Sequence, residues 1–166
     1  MKIWVLRDPS RCVGCRLCEV ECSLRHEGVI WPSASRIRIF EHIHGFPTPY
    51  TCVQCDDYPC VVACPTAALR VAENGAVLVD EDKCVLCGSC VGACPGKVPR
   101  MIEGKKVVLI CDLCGGTPAC VDVCESMGFD ALKVVRKPGG DIVKSYLANP
   151  FSVSEELAAK LSVVRR

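Results

Sequence analysis

Residues 84–95 read CVLCGSCVGACP, with four cysteines spaced C-x2-C-x2-C-x3-C and followed at once by Pro95. Three other stretches also begin C-x2-C and end C-x3-C, and only the middle gap varies. That gap is two residues in the first and third stretches, four in the second and five in the fourth. The sixteen cysteines of the 166-residue chain fall into these four quartets without remainder: Cys12, Cys15, Cys18, Cys22; Cys52, Cys55, Cys60, Cys64; Cys84, Cys87, Cys90, Cys94; Cys111, Cys114, Cys120, Cys124.

This spacing is typical of thiolate ligands to [4Fe-4S] clusters. In a C-x2-C-x2-C-x3-C-P run, three cysteines hold one cluster and the fourth holds a different one. The first three wrap one face of the cube with backbone N–H groups towards the sulfurs, and the x3 gap places the last two cysteines one helical turn apart. The sequence therefore predicts four [4Fe-4S] clusters, with all sixteen cysteines as iron ligands.

A disulfide scaffold and structural zinc are the alternatives. Disulfides suit short secreted chains, but the opening MKIWVLRDPSRC lacks the apolar run and the small-residue cleavage site of a secretory signal. Zinc sites usually combine paired C-x2-C knuckles, which give no reason for a third and fourth cysteine two and three residues further on. The spacing favours iron–sulfur chemistry over both.

Composition indicates a core that depends on those clusters. Half of the residues are hydrophobic when cysteine is counted, and roughly 40% remain without it, below the usual apolar share. We therefore expect the apo-protein to be unfolded or aggregated.

Charge and hydropathy exclude two classes of partner. A net charge of +1 gives no basic face for nucleic acid. No stretch approaches the ~18 apolar residues of a membrane span. Together with the missing secretory signal, this predicts a soluble, cytoplasmic protein with no direct membrane span.

Short strands are predicted between the quartets. Residues 1–6 and the alternating residues 36–44 read as strands, and residues 45–50, GFPTPY, read as a loop. Asn74-Gly75 between apolar runs predicts a tight hairpin. A second hairpin is predicted to turn at Glu103-Gly104.

The predicted fold class is α+β, with two nested bacterial-ferredoxin-like units of short hairpins and helical turns around four cubane clusters. Residues 52–110 form an inner two-cluster module between the outer quartets 12–22 and 111–124, within a double ferredoxin-like domain spanning residues 1–140. Residues 141–166 form a C-terminal extension with a helix near residues 154–161. The extension packs either on its own core or on a partner subunit.

Nesting assigns the ligands by exchange of the fourth cysteine between paired quartets. The four predicted sets are Cys12, Cys15, Cys18, Cys124; Cys111, Cys114, Cys120, Cys22; Cys52, Cys55, Cys60, Cys94; and Cys84, Cys87, Cys90, Cys64. In the outer quartets the proline after the fourth cysteine is replaced by Ser23 and Glu125.

No catalytic residue is predicted, because every cysteine serves as a ligand and no phosphate loop or acid–base pair appears. His26 lies close enough to the first cluster to hydrogen-bond a sulfide, with a surface role as the alternative. His42 and His44 face one side of a predicted strand, in a structural or surface role, or else in a proton or metal role.

Nearby charges are expected to tune the cluster potentials. Asp112 and Asp122 would lower the potential at the fourth quartet, and Arg11 and Arg16 would raise it at the first.

The four quartets in this order, the element Tyr58-Pro59-Cys60 and the stretch PSASRIRIF at residues 32–40 resemble the four-cluster iron–sulfur subunits of anaerobic oxidoreductases. That family serves molybdenum and tungsten enzymes and carbon monoxide dehydrogenases. The resemblance covers residues 1 to about 135. Because only five residues separate Cys114 from Cys120, the chain looks most like the small subunits of tungsten aldehyde oxidoreductases and tungsten benzoyl-CoA reductases.

The resemblance implies a non-catalytic electron-transfer subunit. It would relay single electrons between the pterin cofactor of a large tungsten or molybdenum catalytic subunit and an external carrier or further redox subunit. One alternative is a free polyferredoxin-type carrier, although such carriers tend to be strongly acidic. Others are a subunit of a carbon monoxide dehydrogenase, formate dehydrogenase or hydrogenase complex, and a zinc-based interaction module.

Overall fold

The computed structural model describes residues 1–41 and 45–146. Six short strands and five helices follow the chain in this order: β1 (Ile3–Arg7), α1 (Leu17–Glu27), β2 (Arg38–Phe40), β3 (Thr48–Tyr50), α2 (Pro59–Val62), β4 (Leu69–Val71), β5 (Val77–Val79), α3 (Ser89–Ala93), α4 (Ala119–Ser126), β6 (Leu132–Arg136) and α5 (Gly140–Ser145). Single 3-10 turns lie at Pro32–Ala34 and Leu113–Gly116. This content of helices and small antiparallel sheets agrees with the predicted α+β class.

The strands form three two-stranded antiparallel sheets: β1 with β6, β2 with β3, and β4 with β5. The first sheet joins distant parts of the chain, since Ile3 pairs with Arg136 and Arg7 with Leu132. Trp4 in β1 is buried, and its indole N–H donates to the carbonyl of Val53 at 3.0 Å. Strand β1 therefore fastens the last sheet strand to the loop of the second quartet.

The hairpin predicted at Asn74-Gly75 is confirmed by β4 and β5. Gly75 adopts a φ of 89°, a conformation that glycine reaches without steric cost. The Asn74 side chain accepts a hydrogen bond from the N–H of Ala76 at 3.1 Å. The local turn chemistry thus decides this element.

The prediction of a loop over residues 45–50 is wrong in part. Thr48–Tyr50 forms β3, in which Pro49 lies opposite Ile39 of β2. Because this sheet has only two strands, both are edges, and an edge strand tolerates a proline that cannot donate to a ladder.

The second predicted hairpin is reduced to a single bridge between Arg100 and Leu109. Its side chains are held elsewhere, since Arg100 donates to the carbonyl of Ser35 and Lys105 pairs with Glu27 of α1. These bonds attach Arg100 and the turn at Lys105 to α1 and the turn that follows it, in addition to the bridge.

Four helices carry the C-x3-C ends of the quartets, as the spacing predicts. Cys18 and Cys22 lie within α1, and Cys120 and Cys124 lie within α4. Helices α2 and α3 are short and end before Cys64-Pro65 and Cys94-Pro95. Helix α1 packs against α4, and α2 packs against α3.

Two apolar cores surround these helix pairs. The members of the first include Val5, Ile37, Ile39, Leu113, Val121 and Leu132 together with Cys18, Cys22 and Cys120. The second contains Tyr58, Leu69, Val77, Val108 and Ile110 together with Cys60 and Cys90. Cysteine is thus part of each core.

Residues 140–146 pack on the rest of the chain. Val143 is buried, and the Tyr146 ring meets Trp4 edge-on at 5.0 Å between centroids. The Arg7 guanidinium lies 4.8 Å from the same tyrosine ring. These contacts join the described beginning of the extension to strand β1.

Three sequence predictions lie outside the described residues: His42, His44 and the helix at residues 154–161. Within residues 1–41 and 45–146, no helix has the length and apolar character that a membrane crossing requires.

Candidate iron–sulfur centres

Three cavities are each lined by four cysteines drawn from two quartets. Site 1 contains Cys12, Cys15, Cys18 and Cys124. Site 3 contains Cys52, Cys55, Cys60 and Cys94. Site 4 contains Cys64, Cys84, Cys87 and Cys90. The structure thus brings together three of the four predicted sets, each around a small cavity.

The remaining set, Cys22, Cys111, Cys114 and Cys120, is called site 2. Cys22 and Cys120 belong to the first apolar core, and Cys111 packs against it, where α1 packs on α4. Burial raises the pKa of Cys111 to about 12, and the Cys22 thiol adds to this rise. Burial also raises the pKa of Cys120, with Cys111, Cys22 and Cys114 among the contributors.

The four C-x2-C loops share one backbone conformation. The residue before the second cysteine has a positive φ in every loop: Gly14 71°, Gln54 48°, Leu86 53° and Leu113 56°. For the three residues other than glycine, such a conformation costs about 1–3 kcal/mol and persists where the surroundings enforce it, as at ligand clamps. Because this conformation recurs in all four loops, we infer that the loops have the same structural role.

Backbone N–H groups point at cysteine sulfurs in three of the quartets. Gln54 donates to Cys52 at 3.4 Å, Val98 to Cys94 at 3.4 Å, and Arg36 to Cys22 at 3.2 Å. Such donors favour the anionic thiolate, the form that binds metal. At Cys22, burial opposes ionisation, but hydrogen bonds from His26 and Arg36 lower the pKa of the thiol overall.

The donor atoms present decide whether these surroundings fit a cluster. The Gln54 side chain is 0% exposed, and neither its amide nitrogen nor its amide oxygen has a hydrogen-bond partner among the described residues. An unsatisfied buried amide costs about 1–3 kcal/mol. In sequence it lies between Cys52 and Cys55, but its own side chain is not among the residues that line site 3, so it does not decide the question. The thiols do: four cysteines at each of sites 1, 3 and 4 are the donor set that a [4Fe-4S] cluster takes, so the residues present fit an iron–sulfur group.

His26 occupies a position that the sequence prediction missed. Its Nδ1 lies 2.8 Å from the carbonyl oxygen of Cys22, and its Nε2 lies 2.9 Å from a carboxylate oxygen of Asp112. The hydrogen bond to Asp112, followed by that to Cys22, raises the pKa of His26 to about 10. Only 13% of the side chain is exposed. The surface role is therefore wrong, and the residue belongs to site 2 rather than to the first cluster.

One signal in the sequence could have found this contact. His26 follows Cys22 by four residues on a predicted helix, and residues at that spacing share one helix face. Asp112 is distant in sequence and only the fold brings it there.

Most of the charges expected to tune the clusters have partners of opposite sign. Arg11 lies 3.1 Å from Asp130, and Arg16 lies 3.2 Å from Glu19. With Asp112 paired to His26, these three groups act as ion pairs rather than as isolated charges. Their expected effect on potential is correspondingly smaller.

Neighbouring sites contain cysteines that pack together. Cys18 of site 1 lies in the first apolar core with Cys22 and Cys120 of site 2. Cys60 of site 3 lies in the second core with Cys90 of site 4. Burial and then Cys111 of site 2 raise the pKa of Cys52 in site 3. The neighbouring pairs are therefore sites 1 and 2, sites 2 and 3, and sites 3 and 4.

Exposure distinguishes the two ends of this series. Cys15 of site 1 and Cys87 of site 4 are exposed, whereas the cysteines of sites 2 and 3 are buried or half-buried. Val13 and Val85, which follow the first cysteine of their quartets, are 57% and 64% exposed. The end sites are therefore more exposed than the middle sites.

Comparison with known proteins settles the class. Residues 43–132 match the family described as the 4Fe-4S dicluster domain. The chain belongs to this family. It is therefore an iron–sulfur protein.

Relatives of the chain include components of oxidoreductases. It is 57% identical over 161 residues to the polyferredoxin-like subunit of the aliphatic sulfonate oxidoreductase of Pyrococcus furiosus, a match that covers 96% of this chain and 93% of the relative. It is 40% identical over 92 residues to a subunit of the selenate reductase of Mesobacillus selenatarsenatis, covering 51% and 31%. These relatives place the chain among iron–sulfur electron-transfer subunits.

The fold is also similar to a chain of the BamBC active site complex of benzoyl coenzyme A reductase with benzoyl-CoA. That similarity has a TM-score of 0.47 at 20% identity and covers 96% of this chain and 90% of the other.

Proposed function

We propose that the chain carries four [4Fe-4S] clusters and conducts single electrons between the cofactor of a catalytic subunit and an external carrier. The observation that supports this most is the sorting of the cysteines into sites 1, 3 and 4, each a cavity lined by four thiols from two quartets. With site 2 included, no cysteine remains for catalysis. The subunit itself is non-catalytic.

The proposed architecture is a pair of nested ferredoxin-like units within residues 1–140. The pairings of β1 with β6 and of α1 with α4 support the outer unit. The pairings of β4 with β5 and of α2 with α3 support the inner unit, residues 52–110. Each unit then exchanges its fourth cysteines, as the ligand sets require.

Each [4Fe-4S] cluster supplies one-electron redox chemistry when it is bound. The protein's part is to hold that group in a low-dielectric setting. Buried side chains such as Leu113 and Val77 keep water from the middle of the series, and N–H donors at Cys22, Cys52 and Cys94 stabilise charge on sulfur.

Sites 1 and 4 are the proposed entry and exit points. Each has one exposed cysteine beside an exposed valine, so a partner can approach closely and exclude water from the contact. Sites 2 and 3 then lie between the two contacts. This arrangement suits a subunit that joins two redox partners.

We propose a tungsten or molybdenum pterin enzyme as the catalytic partner, of the aldehyde oxidoreductase or benzoyl-CoA reductase kind. Similarity to a polyferredoxin-like oxidoreductase subunit along nearly the whole chain supports a subunit role over a free carrier. The net charge of +1 supports the same choice.

Affinity purification of the tagged chain from its native cells tests this function. We expect a large subunit in stoichiometric amount, tungsten or molybdenum by elemental analysis, and bleaching of the cluster absorption when the enzyme's substrate is added. A monodisperse monomer that exchanges electrons without a bound partner would instead favour the free carrier.

A further inference from the structure

One pocket is lined by basic residues and contains no cysteine. It is a concavity of about 180 Å³ lined by Arg36, Arg38, Lys97, Arg100, Phe40, Tyr50 and Val98. Small-molecule sites typically combine an apolar wall with a few polar groups and measure about 300–1,000 Å³. The lining of the basic pocket matches that description, and its smaller volume suits a small ligand.

Two carboxylates near the basic pocket neutralise only part of its positive charge. Glu19 pairs with Arg38 at 3.0 Å but also with Arg16, which is outside the pocket. Glu27 pairs with Arg36 but also with Lys105, again outside it. Each acid is therefore shared between two cations.

The other two cations of the pocket bind only backbone oxygens. Arg100 donates to the carbonyl of Ser35, and Lys97 donates to those of Val91 and Gly92, the latter at 2.8 Å. Neither has a carboxylate partner within the part of the chain that the structure describes. Burial lowers the pKa of Arg100 to about 10, and repulsion from Arg38 adds to this. Like charges are thus held together without full compensation.

The wall beneath these cations is apolar and fixed. The rings of Phe40 and Tyr50 meet edge-on at 5.9 Å between centroids. The Tyr50 hydroxyl donates to the carbonyl of Gly96. Its proton is therefore already engaged and is not offered to a ligand. A ligand in the basic pocket would meet guanidinium groups at one end and ring surface at the other.

We propose that the basic pocket binds a small organic oxyanion, a carboxylate or phosphate ester with an apolar body. Guanidinium groups recognise such oxyanions through paired N–H donors. The anion would be held by Arg38 and Arg100, with Lys97 at the rim and the apolar body on Phe40 and Tyr50. Its binding would relieve the repulsion among the cations.

The pocket adjoins two of the cysteine sites, which gives binding a redox consequence. The backbone of Arg36 donates to Cys22 of site 2, and that of Val98 donates to Cys94 of site 3. A bound anion adds negative charge there and lowers the potentials of clusters at both sites. By linkage, the oxidised protein binds the anion more tightly than the reduced protein. This consequence rests on the proposed function, whereas the binding itself does not.

Calorimetry on the cluster-loaded protein at low ionic strength tests the site, with phenyl phosphate and inorganic phosphate as probes. We expect one saturable site for phenyl phosphate and weaker binding of inorganic phosphate. Arg100→Gln and Lys97→Gln should each weaken phenyl phosphate binding at least about tenfold. Lys133→Gln, which removes the same charge from an exposed position on β6, should leave it unchanged.

Absence of saturable binding, equal binding by all variants, or an equal loss in Lys133→Gln would overturn the site. Equal affinity for the two probes would overturn the apolar contact. If Arg100→Gln loses its clusters, the Lys97→Gln variant supplies the test of the site. The exposed Lys97 side chain bonds only to backbone carbonyls among the described residues. A redox titration with and without phenyl phosphate then tests the coupling; unchanged potentials would overturn the coupling alone, and the proposed electron-transfer function would stand.

Discussion

Residues 52–110, the proposed inner module, and the outer residues 12–27 and 111–136 hold their cysteines on similar loops but differ after the fourth cysteine. In the inner module Pro65 and Pro95 follow at once, and helices α2 and α3 have four and five residues. In the outer residues no proline follows, and α1 and α4 have eleven and eight residues.

The additional turn of α1 adds polar contacts between the outer residues and the rest of the fold. It carries His26 and Glu27, which reach Asp112 and Lys105 across the fold. In the inner module, the helices are held instead by apolar contacts around Val77 and Tyr58. The cysteine spacing thus sets the metal site, while the residue after the quartet decides whether a polar network can be attached to it.

Removing iron should unfold both regions, so that the different contacts around α1 and around α2 no longer matter for stability. Because cysteines are part of both cores, we expect the apo-protein to lose cooperative unfolding and most of its helical circular dichroism. Chelation under reducing conditions, followed by thermal denaturation, measures this. A cooperative transition in the apo-protein, with α1 and α4 retained, would show that the outer polar network folds without metal.

Loss of a fourth cysteine should damage the cluster of the other quartet. Cys94→Ala is expected to remove the same EPR and Mössbauer component as Cys52→Ala, because both line site 3. Cys124→Ala should instead remove the component that depends on Cys12. If Cys94→Ala removed the component that depends on Cys84, the exchange of ligands between quartets would be wrong.

A proline placed after the outer quartet should break the long helix. Ser23→Pro is expected to destabilise the protein by about 3 kcal/mol or more, because proline in a helix interior removes a hydrogen bond and clashes with the preceding turn. It also removes the hydroxyl that accepts from the N–H of Trp31 at 3.1 Å. Chemical denaturation of the cluster-loaded protein measures this, with Pro65→Ala as the matched change expected to cost far less.

Neutralising the carboxylate at the end of α1 should have a smaller effect. Glu27→Gln is expected to cost about 2 kcal/mol, since it weakens charged hydrogen bonds to Arg36 and Lys105. Asp80→Asn, which disrupts the exposed pair with Lys83 in the inner module, should produce no measurable change. Equal losses of stability in the two variants would show that the polar contacts of Glu27 contribute no more than an exposed ion pair.

The pH dependence of this contribution has a definite sign. Burial opposes ionisation of Glu27, yet Lys105 and Arg36 hold its pKa below the usual 4.5. Its stabilisation is therefore present above that pH and is lost as the pH falls through the lowered value. The difference between wild type and Glu27→Gln should shrink in the same range.

Local signals in the sequence account for part of the fold. The C-x3-C spacing predicted the helical turns, and Asn74-Gly75 predicted the hairpin of β4 and β5. Strand β3 was missed because the pairing of Pro49 depends on a two-stranded sheet that the local sequence does not reveal. The contacts of His26 with Asp112 and of Glu27 with Lys105 join residues far apart in the chain, so only the fold discloses them. The grouping of cysteines followed from the quartets, while their ligation to iron and the nesting of two units stay predictions.

Iron and acid-labile sulfide analysis of anaerobically purified protein tests the central claim most directly. Four [4Fe-4S] clusters on four sets of thiols require about sixteen irons and about sixteen sulfides per chain. Zinc without sulfide would contradict the account, and a reproducible value near eight irons in fully loaded protein would show that only one of the two regions binds clusters.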